Sequence, residues 1–369
     1  MTKKAVIRPV FLPHAGCPYR CVYCNQSVVT GVAGMGESPW ELPHRVSRLL
    51  DGLFKDSAGT GTPGEIAFYG GTFTALGAEV IRGILDAALP WILRKCASGI
   101  RFSTRPDNLS CEICSLLSDY PITTVELGVQ SLSDVVLRNC RRGYTAAAVE
   151  EAATRVHGYR WDLGVQLMAG LPGDSAGIFL ESIEKSIRLG PSFVRIYPTL
   201  VLDGTLLAEW YRRGAYQPLG LDEAIRWCVP ALEALNRAEI PVARMGLHEE
   251  AAFRESGIVL GGPHHPSFGQ LVKAAWWRAR VDEILGKCGQ SREGRCLTIT
   301  VPRRSISEVV GHAGENVRHW KEQMGFGTVR VTGKSDWVED RLECSIADVE
   351  LSRRRRRRRQ GRFTDNLPH

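Results

Sequence analysis

The stretch Val6-Ile-Arg-Pro-Val-Phe-Leu-Pro-His-Ala-Gly-Cys17-Pro-Tyr-Arg-Cys21-Val-Tyr23-Cys24 sets an apolar, strand-like segment, Val6–Leu12, directly before a short cysteine loop. The loop spacing is Cys-x3-Cys-x2-Cys. Three thiolates on one loop can bind three corners of a 4Fe-4S cluster and leave the fourth iron without a protein ligand. Such an open iron is free to take up a small molecule. Structural zinc asks for four closed ligands, usually as two Cys-x2-Cys pairs, and this loop does not offer them.

Outward from this stretch the chain alternates apolar runs with amphipathic ones. Further strands are expected at Glu65–Tyr69, Ile100–Ser103, Thr124–Val129, Leu163–Met168 and Phe193–Pro198, with helical spacing in segments such as Ala146–His157 and Ile178–Leu189. Strand-helix alternation predicts an α/β fold with parallel strands and helices outside. In β/α barrels the chemistry sits at the C-terminal ends of the strands. The polar motifs of this chain lie there: Tyr69-Gly70-Gly71-Thr72, Ser103-Thr-Arg105-Pro-Asp107, Val125-Glu126-Leu-Gly-Val-Gln130, Gln166-Leu-Met-Ala-Gly170 and Arg195-Ile-Tyr197-Pro. Paired glycines let a ligand approach the backbone closely, although a Gly-Gly-Thr alone also makes an ordinary βα turn. Glu126, in mid-strand, is expected to be buried. It is either a catalytic or ligand-binding carboxylate or a structural partner for Arg105 or Arg195.

The cysteine loop, with aromatic Tyr23 before the third cysteine, resembles the signature of radical S-adenosylmethionine enzymes. That resemblance implies a partial (β/α)6 TIM-like barrel, open on one side. It implies a 4Fe-4S cluster on Cys17, Cys21 and Cys24, with S-adenosylmethionine on the open iron and cleaved to a 5′-deoxyadenosyl radical. It further implies that Gly70, Gly71 and Thr72 seat the methionine moiety. Arg105, Gln130 and Gln166 would surround its ribose and carboxylate, and Tyr23 and the segment at Tyr197 would hold the adenine. Arg105 and Glu126 are the candidate catalytic residues. An electron donor such as flavodoxin or ferredoxin is implied as a partner.

The strand-end motifs of residues 5 to 285 look like those of the catalytic subunit of Elongator, a tRNA-modifying enzyme, and more distantly those of oxygen-independent coproporphyrinogen oxidase. The Elongator subunit carries an acetyltransferase domain and an N-terminal tRNA-binding extension, and no room for either is expected here. Its cysteine spacing is also longer. The resemblance therefore carries the radical chemistry, with tRNA or RNA modification as the expected use. Two alternatives stand beside it: a radical enzyme acting on a small molecule, and an RNA-binding protein whose cluster is structural or regulatory.

The expected domains are the barrel at 1–215, a helical extension at 216–288, a small α/β unit at 289–349 and an Arg-rich disordered tail at 350–369. The small unit, with Gly311-His-Ala-Gly314 between two short helices, resembles a KH-type RNA-binding module. The competing expectation is a small α/β cap. RNA contact is expected through Gly311, Gly314 and the run Arg353–Arg359; against the run stands the reading as a solvated tail, since no aromatic residues interleave with its arginines. His264 and His265 are further candidates for lining the substrate opening.

Bulk composition bounds the rest. A length of 369 residues, 44% hydrophobic and 24% charged, is ordinary for a globular protein of two or three domains. The net charge of +7 equals the seven arginines of Arg353–Arg359, so the remainder is balanced. Eleven cysteines, an odd number, argue against a disulfide framework. Arg8 and Pro9 interrupt the opening before an apolar core forms, so a cytoplasmic location without membrane association is expected.

Overall fold

The computed structural model describes residues 6–12, 14–18, 20–26, 38–55, 63–247, 257–289, 291–337 and 340–348. The Arg353–Arg359 run lies outside them. The chain forms two compact units, Met1–Pro266 and Ser267–His369.

The first unit runs β1 (Ile7–Phe11), α1 (Leu42–Phe54), β2 (Gly64–Tyr69), α2 (Ala78–Leu93), β3 (Ala97–Thr104), α3 (Cys111–Ser118), β4 (Ile122–Gln130), α4 (Asp134–Asn139), α5 (Ala146–Gly158), β5 (Asp162–Ala169), α6 (Ala176–Arg188) and β6 (Phe193–Pro198). It continues with β7 (Val201–Leu202), α7 (Leu206–Arg212), α8 (Leu221–Arg237), β8 (Val242–Met245) and β9 (Val259–Gly261). Strands β1 to β6 and β8 form one seven-stranded sheet in sequential order. Every neighbouring pair in it is parallel, giving the curled half-barrel expected of the α/β reading. β7 and β9 make a separate antiparallel pair.

The clearest apolar run of the sheet is in its second strand. In β2, Ile66, Ala67 and Phe68 are buried in succession, as strands covered on both faces must be. The helices bury single stripes: Val46, Leu50 and Phe54 on α1, and Val80, Ile81, Ile84, Leu85 and Ala88 on α2, at helical spacing. Ser110, Ser175 and Thr205 cap α3, α6 and α7, each side chain accepting from a backbone N–H of the first turn.

All six expected strands are present, and the sheet takes a seventh from a region that reads mainly as helix. β8 is four residues long and follows Pro241, too short to show a period of its own beside the long amphipathic α8. It extends the sheet next to β6, with Arg195 opposite Arg244 and Ile196 opposite Met245.

The second unit begins with α9 (Phe268–Lys287) and continues through β10 (Cys296–Pro302), α10 (Ile306–Val310), α11 (Glu315–Arg318), a π-helical turn at His319–Gln323, β11 (Thr328–Lys334) and β12 (Glu343–Ala347). The sheet order is β11-β10-β12, with β10 parallel to β11 and antiparallel to β12. Between α10 and α11, Gly311 and Gly314 both adopt positive φ, 78° and 77°. A left-handed backbone of this kind favours glycine. Asn316, fully buried, ties the unit together by donating to Ala274 O at 2.9 Å and Val309 O at 3.0 Å. Trp320 Nε1 donates to Asp282 Oδ1 at 2.7 Å.

Candidate active site

The cysteine loop leaves β1 and is laid against the turn that follows β2 by backbone hydrogen bonds. Leu12 N donates to Tyr69 O at 2.7 Å, His14 N to Gly70 O at 2.8 Å, and Thr72 N to Ala15 O at 2.9 Å. The approach is close enough to require glycine. A Cβ on Gly71 would lie 2.2 Å from Ala15 O, and one on Gly16 would lie 2.3 Å from Thr72 O. The Gly-Gly-Thr turn thus serves first as the bed of the cysteine loop, and the Gly70 carbonyl already accepts one hydrogen bond from it. The far side of the loop is pinned as well, Leu207 N donating to Val22 O at 2.8 Å and Asn25 Nδ2 to Asp203 O at 3.1 Å.

Beside this loop, at the C-terminal ends of the strands, lies a cavity of about 500 Å³. The twelve residues that the resemblance assigns to the cluster and to S-adenosylmethionine, or names as candidate catalytic residues, all line it: Cys17, Cys21, Cys24, Tyr23, Gly70, Gly71, Thr72, Arg105, Glu126, Gln130, Gln166 and Tyr197. His264 and His265 are not among its lining residues.

Each thiol has a polar neighbour. Cys17 Sγ lies 3.4 Å from Thr72 Oγ1, Gln26 Nε2 donates to Cys24 Sγ at 3.4 Å, and Arg142 Nη1 donates to Cys21 Sγ at 2.9 Å. Burial raises the Cys17 thiol above its ordinary value and pushes Cys24 up to about 12, the neighbouring thiols adding to the effect. Among the described residues no three His, Cys, Asp or Glu side chains are grouped to hold a single metal ion. A cluster presents a separate iron to each thiolate, so the donor set suits a cluster better than one ion.

The cavity wall holds two charged arrangements. Glu126, 3% exposed, accepts from Tyr69 OH at 2.6 Å and faces Arg195, with Nε to Oε2 at 2.8 Å. Arg101 reaches the same carboxylate at 3.5 Å and Glu65 at 3.1 Å. Of the two partners considered for Glu126, the ion pair is with Arg195. Arg105 instead grips Asp107 with two hydrogen bonds, at 2.9 and 2.7 Å, and donates to Arg142 O.

Gln130 owes its aim to an irregularity. The β4–β5 register shifts between Leu127 and Gln130, and Gln130 has φ of 68°. Such bulges re-aim a side chain at a strand end. Gln166 Nε2 donates to Gln130 Oε1 at 3.4 Å, so the two glutamines share one wall.

Sequence reasoning missed Arg142. Its guanidinium donates to Cys21, Tyr23 OH, Tyr144 OH and Gly128 O, and it is 5% exposed. One arginine in the run Cys140-Arg-Arg142-Gly-Tyr144 carries no spacing signal, and only the fold brings it to the loop. Tyr69, Arg195 and Arg244, also in the lining, complete a wall rich in arginine.

Comparison with known proteins agrees with this geometry. Residues 11–185 match the Radical SAM superfamily and residues 191–278 match the Radical SAM C-terminal domain. A tRNA uridine(34) acetyltransferase of Dehalococcoides mccartyi is 26% identical over 256 residues, covering 60% of this chain and 56% of that protein. The heme chaperone HemW of Mycobacterium tuberculosis is 27% identical, covering 56% of this chain and 53% of that protein. This chain therefore spans about half the length of these two curated relatives. The solved structure of archaeal Methanocaldococcus infernus Elp3, lacking its N-terminus, shares the fold with a TM-score of 0.54 at 21% identity, over 76% of this chain and 64% of that one. The matched families cover the cysteine loop and the strand ends that frame the cavity, and the chain belongs to the radical S-adenosylmethionine superfamily of enzymes.

Proposed function

We propose that this enzyme carries a 4Fe-4S cluster on Cys17, Cys21 and Cys24, binds S-adenosylmethionine in the adjoining cavity, and acts in the modification of RNA, with tRNA as the substrate. The observation that carries the reading is the convergence of twelve residues from six chain segments on one cavity beside three thiols. When bound, the pair supplies reductive cleavage of the sulfonium and a 5′-deoxyadenosyl radical able to abstract hydrogen.

The chain's own groups bind and orient. Gly16 and Gly71 allow the cysteine loop to lie on the β2 turn, which fixes the three thiols relative to the cavity. Thr72 and the glutamine pair Gln130 and Gln166 offer hydrogen bonds to the methionine and ribose portions. Tyr23 and Tyr197, with Leu200 and Leu202, form the apolar wall for the adenine. Glu126 holds Arg195 and Tyr69 in place on the cavity wall, and Asp107 does the same for Arg105.

The tRNA reading rests on the name of the Dehalococcoides relative and on the Gly311–Gly314 loop, a KH-like element suited to a nucleic-acid backbone. The Arg353–Arg359 run would add salt-dependent affinity. A small electron-transfer protein such as flavodoxin or ferredoxin would supply the electron, in the cytoplasm. The test is mass spectrometry of tRNA nucleosides from cells with and without the gene. One modified nucleoside should disappear, returning with the wild-type gene and not with Cys24→Ser. An unchanged nucleoside profile contradicts the tRNA substrate.

A further inference from the structure

Five arginines line the cavity: Arg20, Arg105, Arg142, Arg195 and Arg244. Two of them are neutralised by carboxylates at close range, Arg105 by Asp107 at 2.7 Å and Arg195 by Glu126 at 2.8 Å. Arg142 differs. It is buried, and its hydrogen bonds go to Tyr144 OH at 2.9 and 2.7 Å, Gly128 O at 2.5 Å, Tyr23 OH at 3.4 Å and Cys21 Sγ at 2.9 Å. Among the described residues no carboxylate is paired with it. Guanidinium does not give up its proton in proteins, so a full positive charge is held here away from water. A buried charge is tolerated when an opposite charge faces it. The one group in its reach that becomes anionic on binding metal is the Cys21 sulfur.

We propose that Arg142 is a positioning residue for the iron–sulfur centre: it fixes the Cys21 sulfur and, through its charge and its hydrogen bond to that sulfur, raises the reduction potential of the centre bound there. The inference rests on the reading that Cys17, Cys21 and Cys24 hold a cluster. Hydrogen bonds to the sulfurs and net local charge are the levers by which a protein sets such potentials. Reduction adds one electron from an external one-electron donor and adds no proton, so a fixed cation 2.9 Å from a ligand sulfur stabilises the more negative, reduced state. The support of Arg142 is itself rigid. Tyr144 OH donates to Gly128 O at 2.8 Å while receiving from Arg142, and Arg105 donates to the Arg142 carbonyl.

The experiment is a redox titration of the full chain, reconstituted anaerobically with iron and sulfide and poised with titanium(III) citrate, with electron paramagnetic resonance reading the reduced fraction. Arg142→Gln, at the midpoint potential of the wild type, should lower the ratio of reduced to oxidised centre about tenfold, equivalent to about 59 mV for one electron. Arg142→Lys keeps the charge with fewer donors and should recover part of that loss. Tyr144→Phe removes a partner of the guanidinium without touching the sulfur and should stay within about twofold of the wild type. Loss of iron from Arg142→Gln with an unchanged circular-dichroism spectrum supports the fixing of Cys21. A fully loaded Arg142→Gln with an unchanged ratio overturns the proposal and leaves the cluster reading intact. A wild-type chain that takes up no iron overturns both.

Discussion

Glu126 and Arg195 face each other across neighbouring positions of the cavity wall, with Arg195 Nε 2.8 Å from Glu126 Oε2 and Arg195 Nη2 3.2 Å from Oε1. The glutamate side chain is 4% exposed and the arginine 15%. Removing one member of a buried pair leaves the other uncompensated, which costs about 3–5 kcal/mol. Glu126→Gln keeps the shape and strands Arg195, while Arg101 keeps Glu65 at 3.1 Å. It should lose about 3 kcal/mol of stability in anaerobic urea unfolding. A loss below about 1 kcal/mol would mean that the pair is wet and contributes as a surface pair does.

Gly71→Ala is expected to act on the loop and not on the core. Its Cβ would meet the Ala15 and Leu12 carbonyls at 2.2 and 2.9 Å, so the cysteine loop must lift away. Iron content after reconstitution should fall severalfold, while the far-ultraviolet circular dichroism stays near that of the wild type. Gly52→Ala is the contrast. It lies within α1 with nothing within 4 Å of a Cβ, and alanine there should add about 0.5–1 kcal/mol without changing iron content. Equal iron loading by both variants contradicts the role assigned to Gly71.

Asp174, in the turn after β5, gives a pH signature. Burial pushes its carboxyl from 3.8 up to about 6, against the backbone N–H groups of Gly170, Ser175 and Leu171, which favour the ionised form. Between those two values the folded chain binds more protons at this site than the unfolded chain. The contribution of Asp174 is therefore full below pH 4 and is lost as pH rises through 6. A rise of about two pH units corresponds to about 3 kcal/mol. The stability of the wild type relative to Asp174→Asn should fall by about that amount from pH 4 to pH 7. A constant difference across this range contradicts the buried-acid assignment.

What the sequence made legible followed from pattern strength. Six strands were readable as short apolar-rich runs set between amphipathic ones, Ile66-Ala-Phe68 of β2 being the clearest, and the polar residues after them fell into one cavity because barrel topology brings strand ends together. β8 was illegible since four residues, Val242-Ala-Arg-Met245, carry too little period. Arg142 was illegible because its importance lies in a contact 121 residues away, with Cys21. The Gly-Gly turn was legible as a place of close approach, but not that the approaching backbone is the cysteine loop. For Glu126 both arginines were plausible partners. The choice of Arg195 came from the sheet, which sets β3, β4 and β6 so that Arg105 turns towards Asp107 instead.

The proposed function requires that the three thiols of one loop hold a cluster that acts on a ligand in the adjoining cavity. The most direct measurement is anaerobic reconstitution of the full chain, reduction in the presence of S-adenosylmethionine, and quantification of iron and of 5′-deoxyadenosine. The account predicts about four irons per chain and formation of 5′-deoxyadenosine, both lost in Cys17→Ser, Cys21→Ser and Cys24→Ser. A chain that leaves S-adenosylmethionine intact, or that cleaves it equally well without these cysteines, contradicts it.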